Sequence, residues 1–364
     1  MTETPAHIPP ELRALGWDEE WQAVFLEAGR EGTQPARLAV PRKKSYTVMT
    51  ATGEHEAVVP GKTWHTQGAA GQPVVGDWVA LEVVSDTASP VIRAILPRRT
   101  ILTRKMPGEK VAEQFVAANV DVLFIVCGLD QDYNVRRIER YLALAREGGV
   151  KPVVLLNKED LVEDAARFRD EVTESAGEAA VLSMSAKDGT NLEALEMFLG
   201  AGVTAAFIGS SGAGKSTLIN ALLGEERQDT QEVIEGTDRG KHTTTRRELI
   251  PLGDRGILID TPGLREIQLW GDESSLDDIF ADIAALTEHC RFRDCSHTSE
   301  PGCAVLEAVE SGELSEKRVE SYHKLSRELR HLATRRNEQA RLEEKQKNKR
   351  FHKMIRKSPK PRPW

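Results

Sequence analysis

Gly209-Ser210-Ser211-Gly212-Ala213-Gly214-Lys215-Ser216 follows the small apolar run Val203–Ile208 and opens onto Thr217–Leu223. The run before it reads as a buried strand and the run after it as a helix. In that setting G-x-x-x-x-G-K-[ST] predicts a phosphate cradle. The glycines let the backbone curl so that its N–H groups aim at phosphate oxygens, beside the positive end of the helix. Gly209, Ser210, Ser211, Gly212, Ala213, Gly214, Lys215, Ser216 and Thr217 are therefore candidate nucleotide contacts. Lys215 is expected to reach the terminal phosphates and the Ser216 hydroxyl to ligate Mg²⁺. An ordinary glycine-rich turn is the alternative, and the strand–loop–helix context counts against it.

Upstream, strands and helices alternate. Asn119–Cys127 and Lys151–Leu156 read as buried strands, and Val135–Glu147 and residues 161–176 as helices. Alternation of this kind implies a parallel sheet covered on both faces. The second strand ends in Asn157-Lys158-Glu159-Asp160. A buried Asp160 there would accept from N1–H and the 2-amino group of guanine, donors that adenine lacks on that edge. Lys158 would lay its stem along the base and Asn157 would tie this loop to the phosphate loop. By itself N-K-E-D also suits a solvated turn. Ser185-Ala186-Lys187 follows another strand end, Val181-Leu182, and is expected to offer a backbone N–H to guanine O6.

Downstream, Gly240-Lys241-His242-Thr243-Thr244-Thr245 lies in a polar segment without periodicity, as a mobile switch would. Thr243 or Thr244 would bring a hydroxyl to Mg²⁺, Thr244 being favoured. Two strands around Gly253-Asp254-Arg255-Gly256 lead to Asp260-Thr261-Pro262-Gly263. Asp260 would hold the metal through water, and the Gly263 N–H would meet the γ-phosphate; hydrolysis removes such contacts. The ligand to which these motifs point is GTP or GDP with Mg²⁺.

Three of the four cysteines crowd into Cys290-x4-Cys295-x-His297-x5-Cys303. Three thiolates and one imidazole complete a tetrahedral Zn²⁺ shell with no position left for water, which predicts a structural metal. His289 is a rival to His297. Cys127 ends an apolar run and reads as a core thiol.

From Pro35 to Pro97 five short β-branched runs separated by turn signals suit a small barrel such as an OB-fold. Arg42, Lys43, Lys44, Tyr46, Lys62 and Trp64 are candidate RNA contacts on it, while Trp78 is expected to fill its interior. Residues 11–30 read as one amphipathic helix with Trp17, Trp21, Val24, Phe25 and Ala28 on its apolar side. Leu314, Tyr322, Leu325, Leu329 and Leu332 make a helical stripe expected to dock on the zinc segment or the nucleotide domain.

The net charge of −8 hides an asymmetry: residues 315–364 carry 17 Lys/Arg against 6 Asp/Glu, the rest 32 against 51. An acidic body with a basic end suits contact with a polyanion, although a solvated helix face also produces such a count. The start of the chain has neither a basic nor an apolar run, and no apolar stretch approaches membrane-spanning length. A cytoplasmic protein, monomeric and without membrane contact, is expected.

The guanine motifs precede the phosphate loop, the reverse of most GTPases. This order, with G-K-H-T-T-T, D-T-P-G, the flanking barrel and the cysteine spacing, resembles the circularly permuted GTPases of the ribosome small-subunit-dependent GTPase A family over roughly residues 35–330. The resemblance implies a multidomain chain: an OB-like β-barrel, a central α/β P-loop GTPase domain in circularly permuted order, and a C-terminal zinc-binding helical domain. The expected divisions are an N-terminal helical extension (1–34), barrel (35–98), connector (99–118), GTPase domain (119–272), zinc-binding domain (273–333) and basic tail (334–364). It implies further GTP hydrolysis on the small ribosomal subunit and its 16S rRNA, late in maturation, slow alone and stimulated by the subunit. The position that carries a water-orienting Gln in many GTPases is Leu264. His242 is the nearest polar substitute, and the resemblance points to it as well. Two other readings compete: an RNA-binding scaffold in which GTP only sets conformation, and an ATPase or kinase, against which Asp160 argues.

Overall fold

The computed structural model describes residues 8–27, 31–43, 45–60, 72–83, 89–105, 113–224, 247–260, 280–316 and 318–327. The chain divides into two compact units, one of Met1–Arg104 with Gln114–Gln268, the other of Lys105–Glu113 with Leu269–Trp364.

The N-terminal segment makes two helices where one was expected, α1 (Pro10–Ala14) and α2 (Glu19–Glu27). Gly16 breaks them apart at φ +85°, where a Cβ would lie 2.7 Å from the Gly202 carbonyl oxygen. Asp18 then starts α2 by accepting the Trp21 N–H at 2.8 Å. Trp17, Trp21 and Leu12 pack with Trp78, the Trp17 and Trp78 rings meeting edge to face at 4.7 Å. Trp78 therefore lies under these helices, outside the barrel interior where it was expected. The barrel interior is Ala36, Leu38, Val48, Ala57, Val79, Leu81 and Ile92. Alternation along a strand sends Trp78 to one face and Val79 to the other.

Five strands form that barrel: β1 (Thr33–Pro41), β2 (Tyr46–Thr50), β3 (Gly53–Ala57), β4 (Trp78–Glu82) and β5 (Val91–Ile95). Their order is β3-β2-β1-β4-β5, all neighbours antiparallel. A parallel bridge between Val58 and Val91 joins the two outer strands. Val58 N–H donates to Pro90 and Ile92 N–H to Val58, each at 2.9 Å, which closes the sheet on itself. Arg42 and Lys43 stand exposed at the β1–β2 turn and Tyr46 is half-buried. Lys44, Lys62 and Trp64 lie outside the described residues.

The expected connector contains a second, two-stranded sheet, β6 (Ile101–Lys105) with β7 (Glu113–Ala118). After it come β8 (Val122–Gly128), α3 (Val135–Glu147), β9 (Lys151–Asn157), α4 (Ala165–Ala176), β10 (Ala180–Ser183), β11 (Thr204–Gly209), α5 (Lys215–Leu223), β12 (Glu248–Pro251) and β13 (Ile257–Asp260). The helix expected from residue 161 begins at 165 because the Asp164 side chain caps it. The strands form one sheet, β10-β9-β8-β11-β13-β12, parallel except for the edge strand β12. Every residue of β8 and β11 is buried, as a parallel sheet covered on both faces requires. Cys127 belongs to the core on one face, and burial pushes its thiol pKa up.

A fully buried arginine joins barrel to sheet. Arg37 of β1 donates through Nη2 to the Asn119 carbonyl at 3.0 Å and to the Thr204 hydroxyl at 2.8 Å, and through Nη1 to the Leu15 carbonyl. Burial lowers its pKa to about 10, so it stays charged at neutral pH. Asp121, which accepts the Thr204 N–H at 2.7 Å, and Asp77 supply the nearby negative charge.

The second unit contains α6 (Ala281–Thr287), α7 (Ala304–Ser311) and helical residues 318–327. Phe280, Ile283, Val305, Ala308, Leu314 and Leu325 are buried in it, with Tyr322 edge-on to Phe280 at 5.4 Å. Leu329, Leu332 and the basic tail lie outside the described residues.

Candidate functional site

In a parallel sheet the loops leaving the carboxyl ends of the strands share one edge, which is where open α/β sheets bind ligands. Here that edge collects 157–160 after β9, 185–187 after β10, 209–216 after β11 and Asp260 at the end of β13. Their order in the chain does not affect where they meet.

Asn157 is the junction. Its side chain is 2 % exposed, donates through Nδ2 to the Ala213 carbonyl at 2.8 Å, and accepts the Ala186 N–H through Oδ1 at 2.9 Å. One amide thus ties three of the four loops together. Gly214 fits against it: its φ is +97°, and a Cβ there would lie 2.0 Å from Asn157 Nδ2. The Ala186 N–H, one of the backbone donors of 185–187 from which a contact to a base carbonyl was expected, is spent on Asn157.

Asp160, expected to be buried, stands exposed and accepts the hydroxyl of buried Ser185 at 2.7 Å. Lys158 adopts φ +65° and its ammonium donates to Asp130 Oδ2 at 2.5 Å. In the phosphate loop, Gly209 is buried and Ser211 and Gly212 are exposed. The Lys215 ammonium donates to the Gly209 and Ser210 carbonyls at 2.9 and 2.5 Å. Ser216 and Thr217 stand half-buried in the first turn of α5, at the positive end of the helix, which favours an anion. His242, Thr243, Thr244, Gly263 and Leu264 lie outside the described residues.

Sequence reasoning missed the loop after β8. Asp130 meets Lys158, and Asp132 accepts from the Ser210 hydroxyl and from Arg137. The signal was available: the loop follows the carboxyl end of a buried parallel strand, like the four segments that were singled out.

In the second unit Cys290, Cys295, His297 and Cys303 bring one ligand atom each to within 4.8 Å of one another. A tetrahedral ion with metal–sulfur bonds of ~2.3 Å and metal–nitrogen bonds of ~2.0 Å needs edges of about 3.8 Å between sulfurs and about 3.5 Å from sulfur to nitrogen. Cys290 Sγ and Cys303 Sγ are 4.0 Å apart, and His297 Nδ1 lies 3.6 and 3.4 Å from them. The Cys₃His set fits zinc. Its imidazole is oriented from behind: Thr287 Oγ1 donates to the Ile283 carbonyl at 2.9 Å and so faces His297 Nε2, 3.3 Å away, as acceptor. That leaves the Nδ1 lone pair toward the thiols. The rival His289 is exposed, its Nδ1 3.1 Å from the Ala285 carbonyl. Glu300, also missed from the sequence, accepts the Ser296, Thr298 and Ser299 N–H groups at 2.8, 3.0 and 3.0 Å. It holds the turn in which His297 sits at φ +56°. The helical stripe docks here: Tyr322 faces the His297 ring at 6.1 Å and His323 Nε2 lies 3.0 Å from the His297 carbonyl.

The family model described as RsgA GTPase matches residues 95–270. A second, described as 50S ribosome-binding GTPase, matches residues 204–341 and so takes in the phosphate loop but not the guanine motifs upstream. The small ribosomal subunit biogenesis GTPase RsgA of Opitutus terrae is 46% identical over 334 residues, 89% of this chain and 91% of that protein. The crystal structure of YjeQ from Thermotoga maritima superposes with a TM-score of 0.60 at 30% identity, covering 82% of this chain and 98% of that one. The crystal structure of YloQ, a circularly permuted GTPase, gives 0.59 at 23% identity, covering 83% and 96%, a likeness of fold. With a closed barrel, a GTP-binding sheet whose N-K-E-D loop precedes its G-x-x-x-x-G-K-S loop, and a Cys₃His cluster behind them in sequence, the chain belongs to the RsgA family of circularly permuted small ribosomal subunit biogenesis GTPases, and is a GTP hydrolase.

Proposed function

We propose that this GTPase binds the small (30S) ribosomal subunit through its 16S rRNA, assists late maturation, and hydrolyses GTP in response to the subunit. The relative named above as a small ribosomal subunit biogenesis GTPase supports the partner. The observation that carries the nucleotide reading is the Asn157 amide, which holds the 157–160, 185–187 and 209–216 loops as one surface. On it Asp160 accepts from guanine N1–H and the 2-amino group, Lys158 lies along the base, and the backbone of 185–187 faces O6. The N–H groups of residues 209–217 cradle the phosphates, with Lys215 on the terminal ones. Ser216 and Thr244, with Asp260 through water, would hold Mg²⁺, whose role is to neutralise charge on the phosphates. The Gly263 N–H would meet the γ-phosphate. His242 orients the attacking water, since Leu264 cannot hydrogen-bond. Cys290, Cys295, His297 and Cys303 hold one structural Zn²⁺, all four positions filled by protein. The barrel, with Arg42 and Lys43 exposed, and the basic tail 334–364 grip rRNA. Among the described residues no helix is long and apolar enough to cross a membrane. The setting proposed is the cytoplasm, with the chain as a monomer.

Phosphate release from GTP, measured with and without purified small subunits, tests this. The rate should rise many-fold with subunits and the rise should be lost in H242A, which should still bind GTP. A rate indifferent to subunits would leave an RNA-binding scaffold in which hydrolysis is incidental. Turnover of H242A equal to that of the unaltered chain would remove His242 from the mechanism.

A further inference from the structure

The loop Gly128–Asp132 carries none of the nucleotide motifs, yet it touches two of the loops that do, 157–160 and 209–216. Leu129 N–H donates to the Asn157 carbonyl at 2.8 Å. The Lys158 ammonium donates to Asp130 Oδ2 at 2.5 Å, each side chain about a quarter exposed (25% and 26%). Asp130 is itself fixed, its Oδ1 accepting the Asp132 N–H at 2.9 Å and its carbonyl the Tyr133 N–H at 3.0 Å. Asp132 accepts the hydroxyl of Ser210 in the phosphate loop and is held by Arg137 at 2.9 Å. Burial alone would raise the Asp130 pKa, but its hydrogen bonds from Lys158 and the Asp132 backbone outweigh that and hold it below the usual range. It is a carboxylate at neutral pH.

A lysine stem is flexible, and fixing it costs rotamer entropy. A stem already fixed at its ammonium leaves less to be lost when a flat base settles on it. We propose that Asp130 is a positioning residue for guanine nucleotide binding: it pins the Lys158 ammonium and so lays the lysine stem out as one wall of the base site before the base arrives. This rests on the reading of 157–160 as the guanine loop. Asp130 touches no substrate atom and acts through Lys158. Its loss shows in how long nucleotide stays bound.

The test is release of a fluorescent GDP analogue from the full chain in Mg²⁺, comparing D130N, D130E, K158M, the D130N/K158M double variant and D160N. D130N should release roughly fivefold faster, the size of a charged hydrogen bond discounted for its exposure. D130E, which keeps the charge, should recover most of the difference. The double variant should release no faster than K158M alone. Release from the unaltered chain should also quicken with salt more than release from K158M, a comparison that needs no variant at Asp130. Release from D130N at the normal rate while D160N releases quickly overturns the role of Asp130 and leaves the guanine loop standing. An equal acceleration by D130N in the K158M background shows a merely structural role and overturns it too. If D160N releases GDP normally, the guanine-loop reading fails and this proposal with it.

Discussion

At the scale of single residues, the nucleotide site turns on the fit between Gly214 and Asn157. The phosphate loop bends at Gly214, and the space that a side chain would fill there holds the Asn157 amide. G214A forces either the amide or the loop to move, and a strained φ adds of order 1–3 kcal/mol. GTP affinity measured by calorimetry should fall at least about tenfold, and the melting temperature of the nucleotide-free chain should fall as well, because the strain is present before nucleotide binds. In the zinc segment Glu300 has the corresponding place. E300A releases the three backbone N–H groups that hold the His297 turn, so zinc should pass faster to a chromogenic chelator, with E300D intermediate. These two sites differ in how far the sequence discloses them. Gly209 to Ser216 and the cysteine spacing are local patterns whose chemistry is visible in a dozen residues. Thr287 and Glu300 act only through partners that folding brings to them, and nothing in their own neighbourhood marks them; Asp130 is marked only by its place just after the buried strand β8.

Elements show the same division. Strands β8, β9 and β11 are unmixed apolar runs, and α3 has its Asn134 cap and a clear apolar face, so these are legible. Residues 11–30 read as one helix only if Gly16 and Asp18 are overlooked, a left-handed stop followed two residues later by a helix-starting carboxylate. The β6–β7 pair hides in a polar stretch that carries little hydrophobic alternation, and pairing between the two runs is what makes them strands. Asp18 also clamps Arg99 through hydrogen bonds of 2.5 and 2.7 Å, and Arg99 lies over the Trp21 ring at 4.3 Å. The hydrogen bond from Arg99 holds the Asp18 pKa below its ordinary 3.8. A lowered carboxylate pKa adds stability that is complete above about pH 4 and is lost as pH falls through the folded value. D18N should therefore cost about 0.5 kcal/mol at neutral pH, the exposed pair being screened. In urea titrations the gap between the two chains should close below about pH 4. Helices α6 and α7, of 7 and 8 residues, are too short to persist without help. Chelation of zinc should raise hydrogen exchange across residues 281–311, and returning the metal should restore protection.

For the whole molecule, the shuffled order of motifs is harmless because a parallel sheet gathers its loops at the carboxyl ends of the strands. Closing old termini and opening new ones elsewhere leaves those ends in place. In this chain the new opening falls before β8, and the barrel leads into that strand through β6, β7 and the Asn119 corner that Arg37 grips. The sequence shows the arrangement as a set of motifs expected to share one ligand. The grip of Arg37 is not legible there, since a lone arginine in a barrel strand reads as surface charge, yet it is 2 % exposed. Among the described residues its Nε has no hydrogen-bond partner, and the cation still bridges three segments. R37M removes a buried charge along with its three carbonyl and hydroxyl partners' bonds. Leaving those acceptors bare should cost about 1–3 kcal/mol, read as a lower urea midpoint.

The central claim is that loops far apart in the chain close on one guanine nucleotide. Calorimetric titration of GDP and of xanthosine diphosphate into the full chain, unaltered and as D160N, tests it most directly. Xanthine carries a carbonyl where guanine carries its 2-amino group, so an asparagine that donates suits the first base and an aspartate that accepts suits the second. The account predicts one GDP per unaltered chain, and for D160N a loss of GDP binding with a gain for xanthosine diphosphate. GDP bound equally by both chains would contradict it, because residue 160 would then lie outside the site that the phosphate loop forms.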